Sequence, residues 1–430
     1  GQFSMNVPED ASLVFRFMGY RDQEVLVNGR TNIEVVLKAA QSFLDEVMVV
    51  GYGTQKRATV TGAINQVGAE VFENRPIVNA AQALQGAIPN LNITFSDGRP
   101  DRGGTFNVRG FTSINGGGPL ILIDGAPGEI DLINPQDIEK VTVLKDASSA
   151  AIYGARASFG VVLVTTKSGK KGGARINYSN NFGFNQTMGL PTTVDALTTA
   201  TIQNDAYRGY SGNDNPDMLL VMDYLKQRQA DPSLPELGTS PTGNFIRGSN
   251  TNWYDAFYNQ NQFFSKHMLN ISGASDKVNY YLSGGYTDQD GAFRTATDNY
   301  KRYNLRAKVE AELKPWLKVY NNAEFSEGNY DTPNKFVNTG GNNVYRFLSL
   351  FANPYEAIKT ADGNWTQAGA LTFGQLEDGG RTLQKNRMLR NTTGARLTFL
   401  KDALHVNADF TASYHQLAED IQSLQVSYES

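Results

Sequence analysis

Polar and apolar residues alternate strictly over long runs in the second half of the chain. Tyr303, Leu305, Ala307, Val309, Ala311 and Leu313 are apolar, and the intervening Asn304, Arg306, Lys308, Glu310, Glu312 and Lys314 are polar. Leu404, Val406, Ala408, Phe410, Ala412 and Tyr414 alternate in the same way with His405, Asn407, Asp409, Thr411, Ser413 and His415. A period of two puts the two sets on opposite faces of a β-strand. Similar segments begin near Ile176, Phe263, Val278, Leu317 and Leu389, which makes seven strands. Each can run for roughly ten residues or more, about twice the usual strand length in a soluble domain.

The connections narrow the choice of architecture. "GASDK", "KPW" and "LKD" are tight turns, whereas the other connections lengthen from a moderate loop at 288–299 to very long ones at 189–262 and 328–386. Short turns at one end and long loops at the other match a transmembrane antiparallel β-barrel, which satisfies every backbone group within lipid. A soluble β-sandwich also alternates, and "LRAKVEAEL" carries helix propensity. Strand length and loop asymmetry favour the barrel. Bacterial single-chain barrels have an even strand number, so seven strands predict a barrel that is incomplete in this chain.

Upstream the pattern differs. Residues 58–172 place short β runs ("TFNVRGF", "PLILIDGAP", "IEKVTVLKD", "GVVLVTTKSG") between glycine-rich loops. Helices are predicted at "VNAAQALQGAI" and at "DASSAAIYG", the latter with Asp146 as N-cap and Gly154 closing it. The mixture predicts an α+β domain. Residues 1–40 read as a small β module, with "SLVFRFMGYRDQEVLV" and "TNIEVVLKA" separated by a turn at Asn28-Gly29. Between the two lies 41–57, where the apolar run Val47-Met48-Val49-Val50 is followed by Gly51-Tyr52-Gly53-Thr54. It reads as a strand with no obvious hairpin partner, whose backbone groups are free to pair elsewhere. Within the long loops, "NPDMLLVMDYLKQRQADP" reads as a surface helix. The aromatics of "NTNWYDAFYNQNQFF" suit either ligand recognition or packing of the loop itself, with packing the plainer reading.

Composition removes several function classes. The chain has 430 residues, is 40% hydrophobic and 19% charged, and carries 42 Gly, 20 Tyr and 23 Phe. No apolar run reaches the ~18–20 residues of a membrane helix. A formal charge of -4 gives no argument for a nucleic-acid partner. With no cysteine, disulfides and thiolate metal sites are excluded. No cofactor and no catalytic residues are expected: "TTKSGKKGG" lacks the order of a phosphate-binding loop, and His267, His405 and His415 stand on strands without metal-ligand spacing. Asp288-Gln289-Asp290-Gly291 hints at calcium, but a turn accounts for it without the rest of a ligand set.

Four stretches carry a family resemblance: "LDEVMVVGYGTQKRATVTGAI", "FNVRGFTSINGGGPLILIDGAP", "NPQDIEKVTVLKDASSAAIYGARASFGVVLVTTKSGKKG", and "NYYLSGGYTDQDGAF" with "YKRYNLRAKVEAELKPWLKV". The chain resembles the SusC/RagA-type TonB-dependent transporters. The resemblance implies a mainly β protein. Residues 1–40 would be the C-terminal part of a carboxypeptidase-regulatory-like β-sandwich domain, 41–57 the Ton box segment, 58–172 the plug, and 173–430 the first part of the barrel. The chain would then be an N-terminal portion lacking a leader and most of the barrel. It also implies an outer membrane of a Gram-negative bacterium, import of oligosaccharides or peptides, a SusD-like surface lipoprotein as partner, and energy from TonB with ExbB and ExbD. Departures are present: Thr142 stands where the family has a second Glu, and Phe159 where it has Asn. A siderophore or vitamin receptor would share plug and barrel without the N-terminal domain or the lipoprotein. A surface binding protein built from β-domains would need no detergent.

The site residues follow from these readings. Glu46, Val47, Met48, Val49, Val50, Gly51, Tyr52, Gly53 and Thr54 are expected to bind TonB, by adding a strand to its sheet. Arg109 and then Glu139 are the expected plug–barrel contacts. Asp97, Arg99, Asp101, Arg102 and Asn115, in the glycine loops "SDGRPDRGG" and "TSINGGG", are expected to meet substrate.

Overall fold

A computed structural model describes residues 4–5, 7–8, 10–15, 23–36, 47–50, 53–56, 64–73, 77, 79–96, 98–108, 110, 117–146, 150–240, 243–335, 343–400 and 404–429. Two short strands, β1 (Ser12–Phe15) and β2 (Gln23–Leu26), form an antiparallel hairpin. Both fall inside the first of the two segments expected to be strands. Asn28 and Gly29 do turn the chain, at φ 47° and 69°. The described residues that follow, 31–36, form no strand, because Arg30 folds back onto the carbonyls of Leu26 and Val27 and ends the hairpin there.

The run Val47–Val50 (β3) has a partner after all. It pairs antiparallel with Gly53–Lys56 (β4), with Val50 opposite Gly53 and Val47 opposite Lys56. Reading Val47–Val50 as a strand with no hairpin partner missed that the two-residue spacing before Gly53 fits a tight hairpin.

The α+β domain is a five-stranded sheet with a hairpin beside it. Its strands are β5 (Ile64–Gly68), β8 (Leu120–Ile123), β9 (Ala126–Pro127), β10 (Ile138–Leu144) and β11 (Val161–Thr166), in the order β5-β10-β11-β8-β9. The hairpin is β6 (Leu91–Thr94) with β7 (Thr105–Val108). Val141, Val143, Val162, Val164 and Ile123 on one face pack against Leu84, Ile88 and Ile133. Helix Ala80–Leu84 starts at Asn79, whose Oδ1 accepts from the Ala81 amide at 2.7 Å. At the second expected helix, residues 147–149 lie outside the described residues; the Ala150 amide donates to the Asp146 carbonyl at 3.1 Å, and a 3₁₀ segment follows, Ala151–Ala157. Gly154, at φ 66°, kinks that segment rather than closing it.

From Gly172 the chain builds one large antiparallel sheet. Its seven strands are β12 (Gly172–Asn185), β15 (Gln262–Ala274), β16 (Val278–Asp290), β17 (Asn299–Lys314), β18 (Leu317–Pro333), β19 (Arg381–Phe399) and β20 (Leu404–Ile421), each paired with the next. The sheet is open, with β12 and β20 at its edges. The strands span 13 to 19 residues, long enough to cross a bilayer and continue beyond it. Turns at 275–277 and 315–316 connect them at one end, and most of the third, at 400–403, lies outside the described residues.

The opposite connections fold into a cap. The helices Ala196–Ser211 and Pro216–Ala230 pack through Ala200, Met218, Val221 and Leu225. A short hairpin follows, β13 (Leu237–Thr239) with β14 (Phe245–Arg247). The aromatic stretch is structural: Trp253 and Phe257 are fully buried against Phe293 and Phe373.

Candidate functional site

The sheet is inside out for a soluble protein. On β17, Tyr303 and Leu305 are 42% and 58% exposed, whereas Arg302 and Arg306 are 1% and 4% exposed. A soluble sandwich buries the apolar set, so this inversion decides for a membrane wall whose apolar face meets lipid. The polar face is covered by the α+β domain, which makes that domain a plug.

Plug and wall meet through buried ionic groups. The plug brings Asp124, at the tight Asp124-Gly125 turn between β8 and β9 (φ 49° and 88°), and Asp137, just before β10. Three neighbouring wall strands supply Arg306 and Lys308 from β17, Glu324 from β18 and Arg390 from β19. Arg306 lies 2.7 Å from Glu324, 3.6 Å from Asp137 and 3.8 Å from Asp124. Lys308 reaches Asp124 at 3.3 Å and donates to the Thr166 carbonyl at 3.2 Å. Arg390 pairs with Glu324 and donates to the Pro127 carbonyl at 3.3 Å. The Asn322 amide donates to Asp124 at 2.7 Å, and the Tyr281 hydroxyl to Asp137 at 2.9 Å. Three carboxylates and three cations therefore balance out of water, the condition for buried charges to be tolerated.

The plug carboxyls respond differently to this setting. Burial works against the charge on Asp124, but Lys308, Arg306 and the Thr166 hydrogen bonds outweigh it and hold the carboxyl at about 2. For Asp137 burial wins: Arg306, Ser283 and Tyr281 pull it down, yet it stays above the usual carboxylate range. Asp131 is pushed up to about 6 by burial, against hydrogen bonds from Asn79 and Gly104 and the nearby Arg302.

Further hydrogen bonds extend the interface. Arg302 donates to the Asp131 carbonyl at 3.1 Å, Asn304 to the Leu132 carbonyl at 2.9 Å, and Ser179 to Gln136 at 2.9 Å. At the short-turn end Gly169 and Asn279 exchange two hydrogen bonds, at 2.8 and 2.9 Å. The approach is close enough that a Cβ on wall residue Gly285 would stand 2.4 Å from the Asn134 side chain.

The residues singled out in the sequence are distributed as follows. Arg109, Asp97, Asn115, Glu46, Gly51 and Tyr52 lie outside the described residues. Glu139 is exposed, at an irregularity in the β10–β11 register. Thr142 is buried within the plug, bonded to Gln66 at 3.1 Å. Arg99 and Asp101 pair with each other at 2.7 Å. Arg99 also bonds Gln384 at 2.9 Å and stacks over Tyr330 at 4.7 Å, so this plug loop touches the wall at the long-loop end. Arg102 is exposed beside them. The contacts that sequence reasoning passed over, Asp124 and Asp137, sit inside the motifs "LIDGAP" and "NPQDIEK". Their wall partners are the polar phase of the alternation, and choosing among those polar residues needed the register between strands.

Known proteins agree with this geometry. The TonB-dependent Receptor Plug Domain family matches residues 56–161. The chain is 33% identical to TonB-dependent receptor P3 of Formosa agariphila over 85% of its own length and 33% of that protein. It is 31% identical to TonB-dependent receptor SusC of Bacteroides thetaiotaomicron over 79% of its length and 31% of that protein. The chain belongs to the SusC/RagA-type TonB-dependent transporters. It spans about a third of the length of these curated relatives. Among solved structures, the RagAB peptide importer in its 'open-open' state superposes with a TM-score of 0.71 at 25% identity, covering 90% of this chain and 44% of that one.

Proposed function

We propose that the chain is the plug and first wall segment of an outer-membrane importer that takes up oligosaccharides or peptides, driven by TonB with ExbB and ExbD. The observation that carries this reading is the plug seated on the polar face of an inside-out wall through a charge-balanced contact. Such a contact closes a pore against leakage, yet each of its groups can be rehydrated when the plug moves. A SusD-like surface lipoprotein is the proposed partner at the long-loop end, in line with the SusC and RagAB relatives.

TonB is proposed to engage Glu46–Thr54 by strand addition. The hairpin register supports that mode. A two-residue loop makes Val50 and Gly53 a hydrogen-bonding pair, so by alternation Val49 and Val47 turn their amides and carbonyls to the outer edge. That edge is a free template for a partner strand. Substrate is proposed to meet Arg102, Asp97 and Asn115 on the outward plug loops, with Arg99 and Asp101 exchanging their mutual pairing for substrate. Of the two expected plug–barrel contacts, Arg109 stays proposed as one, with Glu139 secondary to Asp124 and Asp137.

The test is deletion of 46–54 from the full-length transporter, with uptake of glycans and peptides measured in cells. Loss of uptake at normal surface expression is expected. Unchanged uptake would refute TonB-driven import through this segment. Ligands and lipoprotein that co-purify in detergent distinguish glycan from peptide.

A further inference from the structure

The outer face of the wall changes character toward the long-loop end. At mid-wall Leu282, Leu305 and Leu389 face outward, all at least 40% exposed. The next level holds Tyr286 and Tyr303, their rings 5.2 Å apart. One residue pair further along, the same face carries Asp288, Lys301, Asn329 and Lys385 side by side on four adjacent strands. Above these stand Asp290, Asn299 and Asp331. An apolar band, an aromatic level and then a charged belt is the order of acyl chain, interface and headgroup.

The belt contains a cleft of about 490 Å³ under the β16–β17 connection, lined among others by Asp290, Phe293, Asp298, Asn299, Lys301 and Asn329. Asp298 is 7% exposed; its Oδ2 accepts from the Ala292 amide at 2.9 Å and the Tyr330 hydroxyl bonds the same carboxylate, while no hydrogen bond from the described residues is assigned to its Oδ1 or to the Asn329 Oδ1. A buried acceptor left empty at a cleft wall calls for a donor from outside. Arg381 is taken by Asp331 and Arg387 by Glu327; Lys385 feels the Glu327 charge at longer range, and neither Lys301 nor Lys385 makes a close ion pair among the described residues. These two lysines flank Asn329 across β18, about 10 Å apart at two strand spacings.

We propose that this belt binds the phosphorylated sugar headgroup of an outer-leaflet glycolipid. Lys301 and Lys385 take phosphate oxygens. Asp298, Asp290 and the Asn329 carbonyl accept from sugar hydroxyls. The tyrosine level and the leucines beneath it receive the acyl chains. This rests on the outer-membrane reading above, since only there does a leaflet of such lipid face the long-loop end.

The experiment uses full-length protein purified in detergent and titrated with diphosphoryl lipid A, bound lipid being counted by native mass spectrometry. Expected results are selective retention of lipid A over phosphatidylglycerol and weakening on the order of tenfold in Lys301→Ala/Lys385→Ala, from lost charge-assisted contacts. Lys314→Ala, at the short-turn end, leaves retention unchanged. Equal retention by the double variant, or equal retention of phosphatidylglycerol, overturns the proposal. Complete displacement by inorganic phosphate also overturns it, assigning the lysines to the free anion. Protein that fractionates with the outer membrane and holds no lipid A sinks this inference alone. Protein absent from that membrane sinks the import reading with it.

Discussion

Replacing Arg306 by Met in the full-length transporter strips the plug contact of its central cation. Asp124 keeps Lys308, Asn322 and Thr166, and Glu324 keeps Arg390. Asp137 is left with the Tyr281 hydroxyl, Ser283 and the buried Lys266 nearby. Breaking a buried ion pair by removing one partner costs about 3–5 kcal/mol. Here the loss falls at the low end of that range because Asp137, already above its usual range, can relieve the uncompensated charge by taking up a proton. The penalty should be about 3 kcal/mol at pH 7.5. The sign is the reverse of a salt-bridged carboxylate: a raised folded pKa destabilises fully above that value, and the penalty fades as pH falls through it. Amide hydrogen exchange in β10 and β11 reports plug opening and should accelerate roughly a hundredfold at pH 7.5, and by less as the pH is lowered. Arg306→Met/Asp137→Asn leaves two intact pairs, Asp124–Lys308 and Glu324–Arg390, and should return to within about 1 kcal/mol of the parent. Acceleration below threefold in the single variant, or a double variant no better than the single, would refute the account of a charge-balanced latch.

Asp131→Asn removes a carboxyl held at about 6, so the variant should be more stable than the parent by up to about 2–3 kcal/mol at pH 7.5 and equal to it below pH 4; thermal melts at both pH values check this. Val49→Pro deletes an amide on the outer edge of β3 while sparing the hairpin's own ladder, and should abolish uptake where Val49→Ala does not; equal uptake by the two refutes strand addition there. Trp253→Ala opens a cavity in the loop cap and costs that cap about 3–5 kcal/mol, read as faster proteolysis of the 189–262 loop; reduced ligand binding with unchanged proteolysis would instead make Trp253 a recognition residue. Gln66→Cys/Thr142→Cys joins directly opposed residues of β5 and β10 in a chain without cysteine; oxidation should block uptake and reduction restore it, and transport by the oxidised form would exclude peeling of β5.

The wall was legible because its signal is local and repeated. Six of seven strands begin within a few residues of where alternation starts, and the exception, β19, begins at Arg381, ahead of Leu389, because Lys385 and Arg387 occupy outward positions that the other strands fill with apolar residues at mid-wall. The helix Ala196–Ser211 was not read, since "ALTTATIQNDAYRGYS" has few apolar positions and is buried only through Ala196, Ala200 and Asn204. At the site, residue type was legible and pairing was not. Arg109 and Glu139 stood out as charges in ordered motifs, but a charge reveals its partner only through tertiary register. Asp124 and Gly125 form a tight turn; that this turn inserts a carboxylate between Lys308 and Arg306 depends on strands nearly 200 positions away.

The distribution of apolar and polar contacts sets an order in which a pulled plug yields. Inside the plug, Val141, Val143, Val162 and Val164 are buried at 2% exposure or less, each worth roughly 1.5–3 kcal/mol against exposure. At the wall, hydrogen bonds can be exchanged for water at a net of only about 1 kcal/mol each. Force therefore parts plug from wall more readily than it dissolves the valine core. The point of attack narrows this further. The hairpin β3–β4 leads into β5, an edge strand that touches the sheet through β10 alone. Tension arrives first at Ile64 opposite Leu144, the end of a five-pair ladder, and can take those pairs in sequence rather than together. Once β5 is off, β10 is the new edge, and Asp137 at its start is a latch carboxyl that burial holds above its usual range. Peeling the edge strand thus leads directly to this member of the ionic latch.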